Sequence, residues 1–451
     1  MTIWRQVRKN STTTIEVVQW LPAIAFLALL VWYLATPSKI GAMAAAGLLA
    51  IVAIAFGWAM QMAKHVSGSR RLQYSALQVG DELEEEIILK NRSFLPVLWA
   101  EFVDQSNIPD YYVSSVRAAD GQSQVRWHAE TICSRRGVFL LGPWELRLGD
   151  PLGIFRVRQQ YHQRQEVLIY PPLADLPPHL LPYIGVQGDE RPLHMPVRAE
   201  TINAFSARPY IAGDPLRHLH WRTTARKDQP FVKLFDPEAA TSVWLVADCD
   251  VGQHCGEGQD SSFETMILIL ASLSAQMLRD NLAVGLFADA AQQVIIRPER
   301  GQPHLWEILK ALAPLEPVGS RPLAISLRKL QQISSPRNMT VVVTPRLDLD
   351  WLPELSRLSG LTGAHHAQAI LLDRESFGGV GKSQPLLPFL AGAGVHGQVI
   401  ERGQVKPNRE SYGEARRWDF QSLATGRVVA RHTPRVVEPP HLGSYNSEER
   451  L

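Results

Sequence analysis

The chain has 451 residues, 45% of them hydrophobic and 20% charged, which is enough to bury the cores of two or three domains. Its 46 basic and 44 acidic residues leave a net charge of +2, which argues against a strongly basic nucleic-acid-binding protein and an acidic disordered chain. Three cysteines without a CxxC pair argue against a disulfide framework and a structural zinc site, and they indicate a reducing compartment.

Two uncharged apolar runs, at residues 17–34 and 40–63, dominate the first segment, residues 1–71. A helix needs about 20 apolar residues to cross a bilayer, so both runs predict transmembrane helices, and their short connection predicts an antiparallel hairpin. A cleaved signal peptide is the alternative for the first run, but it leaves the second run unexplained. Six of the segment's seven basic residues lie outside the hairpin tip. The positive-inside rule therefore places both termini in the cytoplasm.

Residues 72–170 predict a β-sandwich domain, because short runs of alternating or β-branched residues are separated by turn residues. The predicted strands are 84–90, 97–103, 111–116, 124–130 and 137–141. Prolines then become frequent at residues 171–182, and we assign residues 171–237 as a connector.

Residues 238–403 alternate apolar strand-like runs with helical ones, which predicts a doubly wound, mostly parallel sheet covered on both faces. The predicted strands are 243–248, 282–287, 293–297, 340–344, 368–372 and 398–401. The predicted helices are 263–279, 304–312, 323–333, 351–358 and 385–390. Residues 404–451 are polar and predict a flexible tail.

Two stretches carry a resemblance to a known family: RRGVFLLGPWELRLGDPLGIF at 135–155 and ARPYIAGDPLRHLHWRTTARKDQPFVKLFDPE at 207–238. Together they resemble the bacterial proteins grouped as domain of unknown function 58. The resemblance implies two N-terminal transmembrane helices in the inner membrane, a β-sandwich and a von Willebrand factor A-like domain. The expected fold class is thus α/β with those three parts in that order. His220 departs from the family, which usually has an acidic residue before the tryptophan.

The second stretch supplies most candidate interaction residues. They are Arg208, Tyr210, Gly213, Asp214, Arg217, His220, Trp221, Arg226 and Lys233. Two interpretations stay open. The arginines and histidines form a surface for an anionic partner, or the arginines neutralise buried carboxylates while Trp221 anchors the core.

A candidate metal site follows the first predicted strand of the parallel sheet. Asp248 and Asp250 lie where von Willebrand A domains carry Asp-x-Ser-x-Ser, but Asp250 and Gly252 replace the two serines. We expect no cofactor, with Mg²⁺ at these two carboxylates as the alternative. The neighbouring His254 and Cys255 match no common zinc-ligand spacing, and the glycine-rich run at 377–382 lacks the spacing of a phosphate loop.

The residues favour a non-catalytic, membrane-anchored interaction or adaptor protein. The family resemblance implies a protein partner, a MoxR-type AAA+ ATPase, in protein assembly or maturation. One alternative is a metal-dependent, hydrolase-like enzyme at Asp248 and Asp250 with His218 and His220. Another is a structural scaffold for envelope assembly. Nucleic acid is not an expected partner, because residues 72–451 hold 39 basic and 43 acidic residues.

Overall fold

The computed structural model describes residues 2–8, 10–36, 38–72, 76–182, 206–209, 221–227, 229–234, 242–319, 321–335, 338–358, 367–408, 417–422 and 428–433. The chain divides into two compact units. The first comprises Met1–Tyr170 with Arg409–Leu451, and the second comprises Pro171–Asn408.

The first unit is built from strands and two helices. In chain order these are β1 (Thr2–Arg8), β2 (Ser11–Val17), α1 (Leu21–Ala35), α2 (Lys39–His65), β3 (Val66–Leu72), β4 (Ala76–Gln78), β5 (Glu82–Asn91), β6 (Val97–Asp104), β7 (Ser115–Ala119), β8 (Gln124–Ile132), β9 (Gly137–Leu141), β10 (Trp144–Gly149), β11 (Phe155–Tyr161) and β12 (Gln165–Tyr170).

Three sheets of this unit surround one apolar core. The largest sheet is antiparallel with the strand order β1-β2-β11-β10-β6-β7, and the smaller sheets have the orders β3-β5-β8 and β4-β12-β9. Apolar side chains alternate along the strands, as in β5, where Leu83, Ile87 and Leu89 are buried. The predicted β-rich character of this region is therefore confirmed.

The two helices of the first unit differ in how they pack. Every residue of α1 is at least partly exposed, although the helix is apolar throughout. In α2 the residues Ala55, Ala59, Met62 and Ala63 form a buried stripe against the largest sheet. Among the described residues, α2 is the helix that is long and apolar enough to cross a membrane, and α1 is shorter, with 15 residues.

The structure corrects several expectations for this unit. The basic N-terminal flank forms β1 and β2, and β2 pairs with β11. The predicted strand at 111–116 is instead a loop that leads into β7, because the Tyr111 hydroxyl bonds the buried Arg70 and Glu85. Part of the expected flexible tail forms a paired hairpin, β21 (Arg417–Ser422) and β22 (Val428–Thr433).

Arg70 was expected to contribute to the positive charge beside the hairpin, but it is buried. Its guanidinium donates hydrogen bonds to Glu85, to Asp104 at 2.6 Å and to the Tyr111 hydroxyl at 2.5 Å. Burial raises the pKa of Glu85, and the neighbouring Arg70 opposes that rise. Arg70 is thus neutralised inside the unit, so it does not supply the exposed positive charge on which the sequence-based orientation relied.

The second unit alternates strands and helices. Its elements are β13 (Ser206–Pro209), α3 (Trp221–Lys227), β14 (Phe231–Leu234), β15 (Ser242–Ala247), α4 (Ser262–Arg279), β16 (Ala283–Asp289), β17 (Gln293–Glu299), α5 (Gln302–Leu312), α6 (Leu323–Ile333), β18 (Met339–Thr344), α7 (Leu352–Leu358), β19 (Ala367–Leu372), α8 (Leu387–Gly392) and β20 (His396–Ile400).

Six of these strands form a mostly parallel sheet with the order β17-β16-β15-β18-β19-β20, in which β17 is antiparallel. The central strands β15, β18 and β19 are buried along their whole length, as expected for a sheet covered on both faces. Helices α6, α7 and α8 pack on one face around Trp244 and Trp351, and α4 packs with α5. The predicted elements of this region match the observed ones within a few residues.

Candidate functional site

The carboxyl ends of the parallel strands form one edge of the sheet in the second unit, and ligands of open α/β sheets bind at this edge. Four buried carboxylates lie there: Asp248 and Asp250 after β15, Asp289 at the end of β16 and Asp373 after β19. A buried carboxylate needs a compensating partner. The identity of each partner therefore determines what chemistry the edge can perform.

Arg346 is the partner of Asp248 and of its neighbour Asp250. Its Nε lies 2.9 Å from Asp248 Oδ2, and its Nη2 lies 2.5 Å from Asp250 Oδ2. The Thr344 hydroxyl donates a further hydrogen bond to Asp248 Oδ2 at 2.6 Å. The remaining oxygens of the two carboxylates accept backbone N–H groups from Asp250 and Gly252 at 3.2 and 3.0 Å. Both carboxylates are therefore satisfied within the fold.

The Arg346 guanidinium occupies the place that a metal ion would need. Burial disfavours its charge, but Asp248, Asp348 and Asp250 outweigh burial and raise the pKa of Arg346. Among the residues that the structure describes, no three His, Cys, Asp or Glu side chains converge as metal ligands. The Asp248–Asp250 pair does not fit Mg²⁺, because Mg²⁺ demands an octahedral shell of oxygens and a permanent cation already lies against both carboxylates.

The other two carboxylates of the edge also have internal partners. Asp289 accepts hydrogen bonds from Arg321 and from Lys329 Nζ, the latter at 2.9 Å. Asp373 accepts the backbone N–H groups of Ser376 at 3.2 Å and Ser383 at 2.8 Å. Asp373 thus holds the loop 373–383, which contains the glycine-rich run that was predicted as a loop.

His254 links the loop after β15 to the start of α4. Its Nε2 lies 2.7 Å from the Asp248 carbonyl oxygen, which can only accept, so Nε2 carries the proton. Nδ1 faces the Ser262 hydroxyl at 3.1 Å. Burial lowers the pKa of His254, which favours this neutral form. The adjacent Cys255 Sγ lies 3.8 Å from the Gln253 carbonyl oxygen, so the pair is not arranged as a Cys–His nucleophile.

Three exposed valines lie on the loops that these carboxylates hold. Val251 and Val318 are neighbours, because the Val251 N–H bonds the Gly319 carbonyl and the Val318 N–H bonds the Cys249 carbonyl. Val380 is on the loop 373–383, and the adjacent Gly381 packs against Leu347 so closely that a Cβ would collide with it. We name Val251, Val318 and Val380 the edge valines.

The candidate interaction residues of the family-like stretch at 207–238 precede the residues of this edge in the chain. Trp221 begins α3 and is 71% exposed, so its interpretation as a core anchor is wrong. Arg226 is exposed on the same helix. Arg208 in β13 and Lys233 in β14 lie on adjacent antiparallel strands. The remaining candidates lie outside the described residues: Tyr210, Gly213, Asp214, Arg217, His218 and His220.

Sequence reasoning missed Arg346, the residue that organises the edge. A signal was present, since Arg346 follows the strand end at Thr344 by two residues and parallel strands end together. The acidic residues Asp348 and Asp350, which follow Arg346, resemble metal ligands and mask this signal. Asp348 does contact the edge, with its Oδ2 3.3 Å from Arg346 Nη1.

Comparison with known proteins gives a family match over part of the chain and relatives that are themselves uncharacterized. Residues 206–372 match the family described as "Protein of unknown function DUF58". The chain is 24% identical over 307 residues to the uncharacterized protein YeaD of Bacillus subtilis, and this alignment covers 65% of this chain and 73% of YeaD. It is 26% identical over 164 residues to the uncharacterized protein Rv1480 of Mycobacterium tuberculosis, and this alignment covers 34% of this chain and half the length of Rv1480.

Solved structures give only partial overlaps. The sporulation control protein Spo0M of Bacillus subtilis is 9% identical, with 26% of this chain and 51% of Spo0M covered and a TM-score of 0.16. A β-glucosidase of Listeria innocua is 11% identical, with 23% of this chain and 16% of that chain covered and a TM-score of 0.15. Overlaps at these scores carry no argument about fold or function.

Proposed function

We propose that the chain belongs to the domain of unknown function 58 family and is a membrane-anchored, non-catalytic interaction protein. In this proposal the second unit is a von Willebrand factor A-like binding module. The match of the family model to residues 206–372 supports the assignment, since it runs from β13 to β19.

The membrane part of the proposal is that α1 and α2 cross the bacterial inner membrane as a hairpin, with both termini in the cytoplasm. The apolar, exposed surface of α1 and the length of α2 support it. So does chain connectivity, because β2 before α1 and β3 after α2 contribute to the same core. Both ends of the helix pair therefore meet one folded unit on one side.

The interaction part rests on one observation: the buried carboxylates of the sheet edge are satisfied by the protein's own cations and N–H groups. A metal-dependent hydrolase requires Asp248 and Asp250 to be free for a cation or a water, but Arg346 engages both. The same bonds fix the loops that display the edge valines. A rigid surface with exposed apolar side chains is suited to binding another protein.

The proposed partner is a MoxR-type AAA+ ATPase, for which the chain acts as an adaptor in protein assembly or maturation. The test is co-purification of the full-length protein in detergent with a MoxR-type AAA+ ATPase from the same organism, with and without nucleotide. We expect co-purification in at least one nucleotide state. Absence of binding in every state contradicts the adaptor role, and capture of another membrane protein instead favours an envelope scaffold.

A matched pair of variants tests the edge itself. Val318 is 43% exposed at the carboxyl edge, and Ile333 is 44% exposed at the end of α6, towards the amino edge of the sheet. Val318→Glu is expected to weaken binding at least tenfold, about 1.4 kcal/mol, because it places a charge in an apolar contact. Ile333→Glu is expected to leave binding unchanged. Equal effects of the two variants contradict an interface at the edge.

A further inference from the structure

The end of the first unit from which α1 and α2 emerge carries a second set of exposed apolar and aromatic residues. Helix α2 runs along β11: Phe56 meets Phe155 edge to face at 5.6 Å, and the carbonyl of Val66 accepts a hydrogen bond from Gln159 Nε2 at 2.9 Å. Phe155 begins β11, so the part of α2 that precedes Phe56 extends beyond the sheet. The helix pair therefore leaves the unit at the end where β2 finishes and β11 starts.

The turn between β10 and β11 lies at this end and is held rigidly. Asp150 accepts the N–H of Phe155 at 2.6 Å and that of Leu152 at 3.0 Å. The Ile154 carbonyl accepts the Val18 N–H at 2.9 Å, which ties the turn to the chain entering α1. Leu152 is 52% exposed at the tip of this turn although it is apolar. The turn thus holds an apolar side chain at a fixed position on the surface of the unit.

A tryptophan and an arginine lie next to this turn on the same sheet. The Arg156 guanidinium lies 5.8 Å from the centre of the Trp99 ring. Trp99 also packs against Gly149, where a Cβ would lie 3.1 Å from its Cε3 atom. Leu98 is the chain neighbour of Trp99 in β6, and Trp20 directly precedes α1; both side chains are exposed. We name Trp20, Leu98, Trp99, Leu152 and Arg156 the rim.

The length of the helix pair favours an approach of the rim to the bilayer if the pair spans it. Helix α1 has 15 residues, which at 1.5 Å per residue span about 22 Å. In α2, large exposed apolar residues continue to Ile54, and the buried stripe begins at Ala55. Helix α1 and the part of α2 that precedes the buried stripe thus each offer less than the about 30 Å of a hydrocarbon core. Such a mismatch is relieved when flanking apolar and interfacial groups are drawn into the membrane surface.

We infer that the rim is a lipid-binding surface, which inserts Leu152 at the membrane interface and presents Arg156 to lipid phosphates. Tryptophan rings favour the interface because one edge is polar, and a guanidinium pairs bidentately with phosphate. The inference rests on the proposed membrane insertion of the helix pair. Its occupant is lipid and not protein, because the rim is continuous with the exposed apolar surface of α1.

Fluorescence quenching in vesicles tests this inference on the full-length protein. A polarity-sensitive fluorophore is attached to Leu152→Cys in a Cys255→Ser background, because the other two cysteines are buried. The protein is reconstituted in vesicles of phosphatidylcholine and phosphatidylglycerol with or without lipids that carry a spin label at the top of the acyl chain. Tyr112→Cys is the aqueous control, since Tyr112 is 92% exposed in the loop after β6, at the other end of the sheet. Ile24→Cys in α1 is the membrane control.

We expect the spin-labelled lipid to reduce fluorescence about twofold or more at Leu152, because interfacial groups lie about 5–10 Å into the boundary of headgroups and chains. The label at Tyr112 stays unquenched. If Ile24 is quenched and Leu152 is not, the rim inference is overturned while membrane insertion stands. If Ile24 is not quenched either, both are overturned. A Leu152 label shielded from aqueous iodide but not quenched by lipid means that protein covers the rim, which also refutes the inference.

Discussion

Replacing Arg346 with methionine tests whether this side chain holds the sheet edge together. Methionine keeps an unbranched chain of similar length but leaves Asp248 and Asp250, which are 2% and 9% exposed, without their cation. Removing one partner of a buried ion pair costs about 3–5 kcal/mol, because an uncompensated charge stays buried. Three hydrogen bonds to the carboxylates remain, from Thr344 and two backbone N–H groups. We therefore expect the lower end of the range, about 3 kcal/mol.

Hydrogen exchange of the full-length protein measures this loss locally. It reports the opening free energy of single segments and does not require two-state unfolding of a chain with two units. The slowest amides of β15 and β18 should exchange roughly a hundredfold faster in Arg346→Met, since about 1.4 kcal/mol corresponds to a factor of ten.

Arg328→Met is the matched control. The Arg328 side chain is 64% exposed and bonds Glu354, so the same substitution should cost about 1 kcal/mol or less there. Adding Asp248→Asn and Asp250→Asn to Arg346→Met should restore most of the protection, because no buried charge then lacks a partner. Exchange in Arg346→Met at the rate of the unaltered protein would refute the structural role of the guanidinium.

Three further predictions concern titration and membrane insertion. Burial raises the pKa of Asp81 to about 6. The protonated carboxyl of Asp81 therefore contributes fully to stability below the unfolded pKa, and this contribution is lost as pH rises through 6. Asp81→Asn should therefore stabilise the first unit by up to about 3 kcal/mol at pH 7 and flatten urea midpoints measured from pH 4 to 7. Burial lowers the pKa of His254, so the pH dependence of stability is opposite to that of Asp81. The hydrogen-exchange protection of α4 should fall as pH drops below about 6.5, and His254→Gln should remove that dependence. Leu27→Asp in α1 should cost about 2.5–3.5 kcal/mol of insertion and release protein from membranes in alkaline carbonate, whereas retention would contradict insertion of α1.

Periodicity was sufficient to predict most of the second unit. The apolar spacing of α6 gave its bounds, and the uninterrupted runs of β15, β18 and β19 identified a buried parallel sheet. Local pattern failed where a segment depends on a distant partner. Strand β2 pairs with β11, which lies about 140 residues later in the chain, and its hydrophilic sequence STTTIEV resembles a membrane flank. Such pairing is decided by tertiary contacts that a local window does not contain.

Arg70 and Arg346 show why the positions of charged residues in the sequence were the weakest basis for predicting the structure. Each reads as a surface cation in the sequence, yet each lies in the interior with two carboxylates. Counting Arg70 toward the positive-inside rule overstates the cytoplasmic bias, because a neutralised and buried arginine does not interact with the membrane potential or with lipid. The stronger argument for orientation is connectivity. Strands β2 and β3 flank the helix pair and share one core, so the proposed hairpin needs no charge bias to return the chain to the side from which it started.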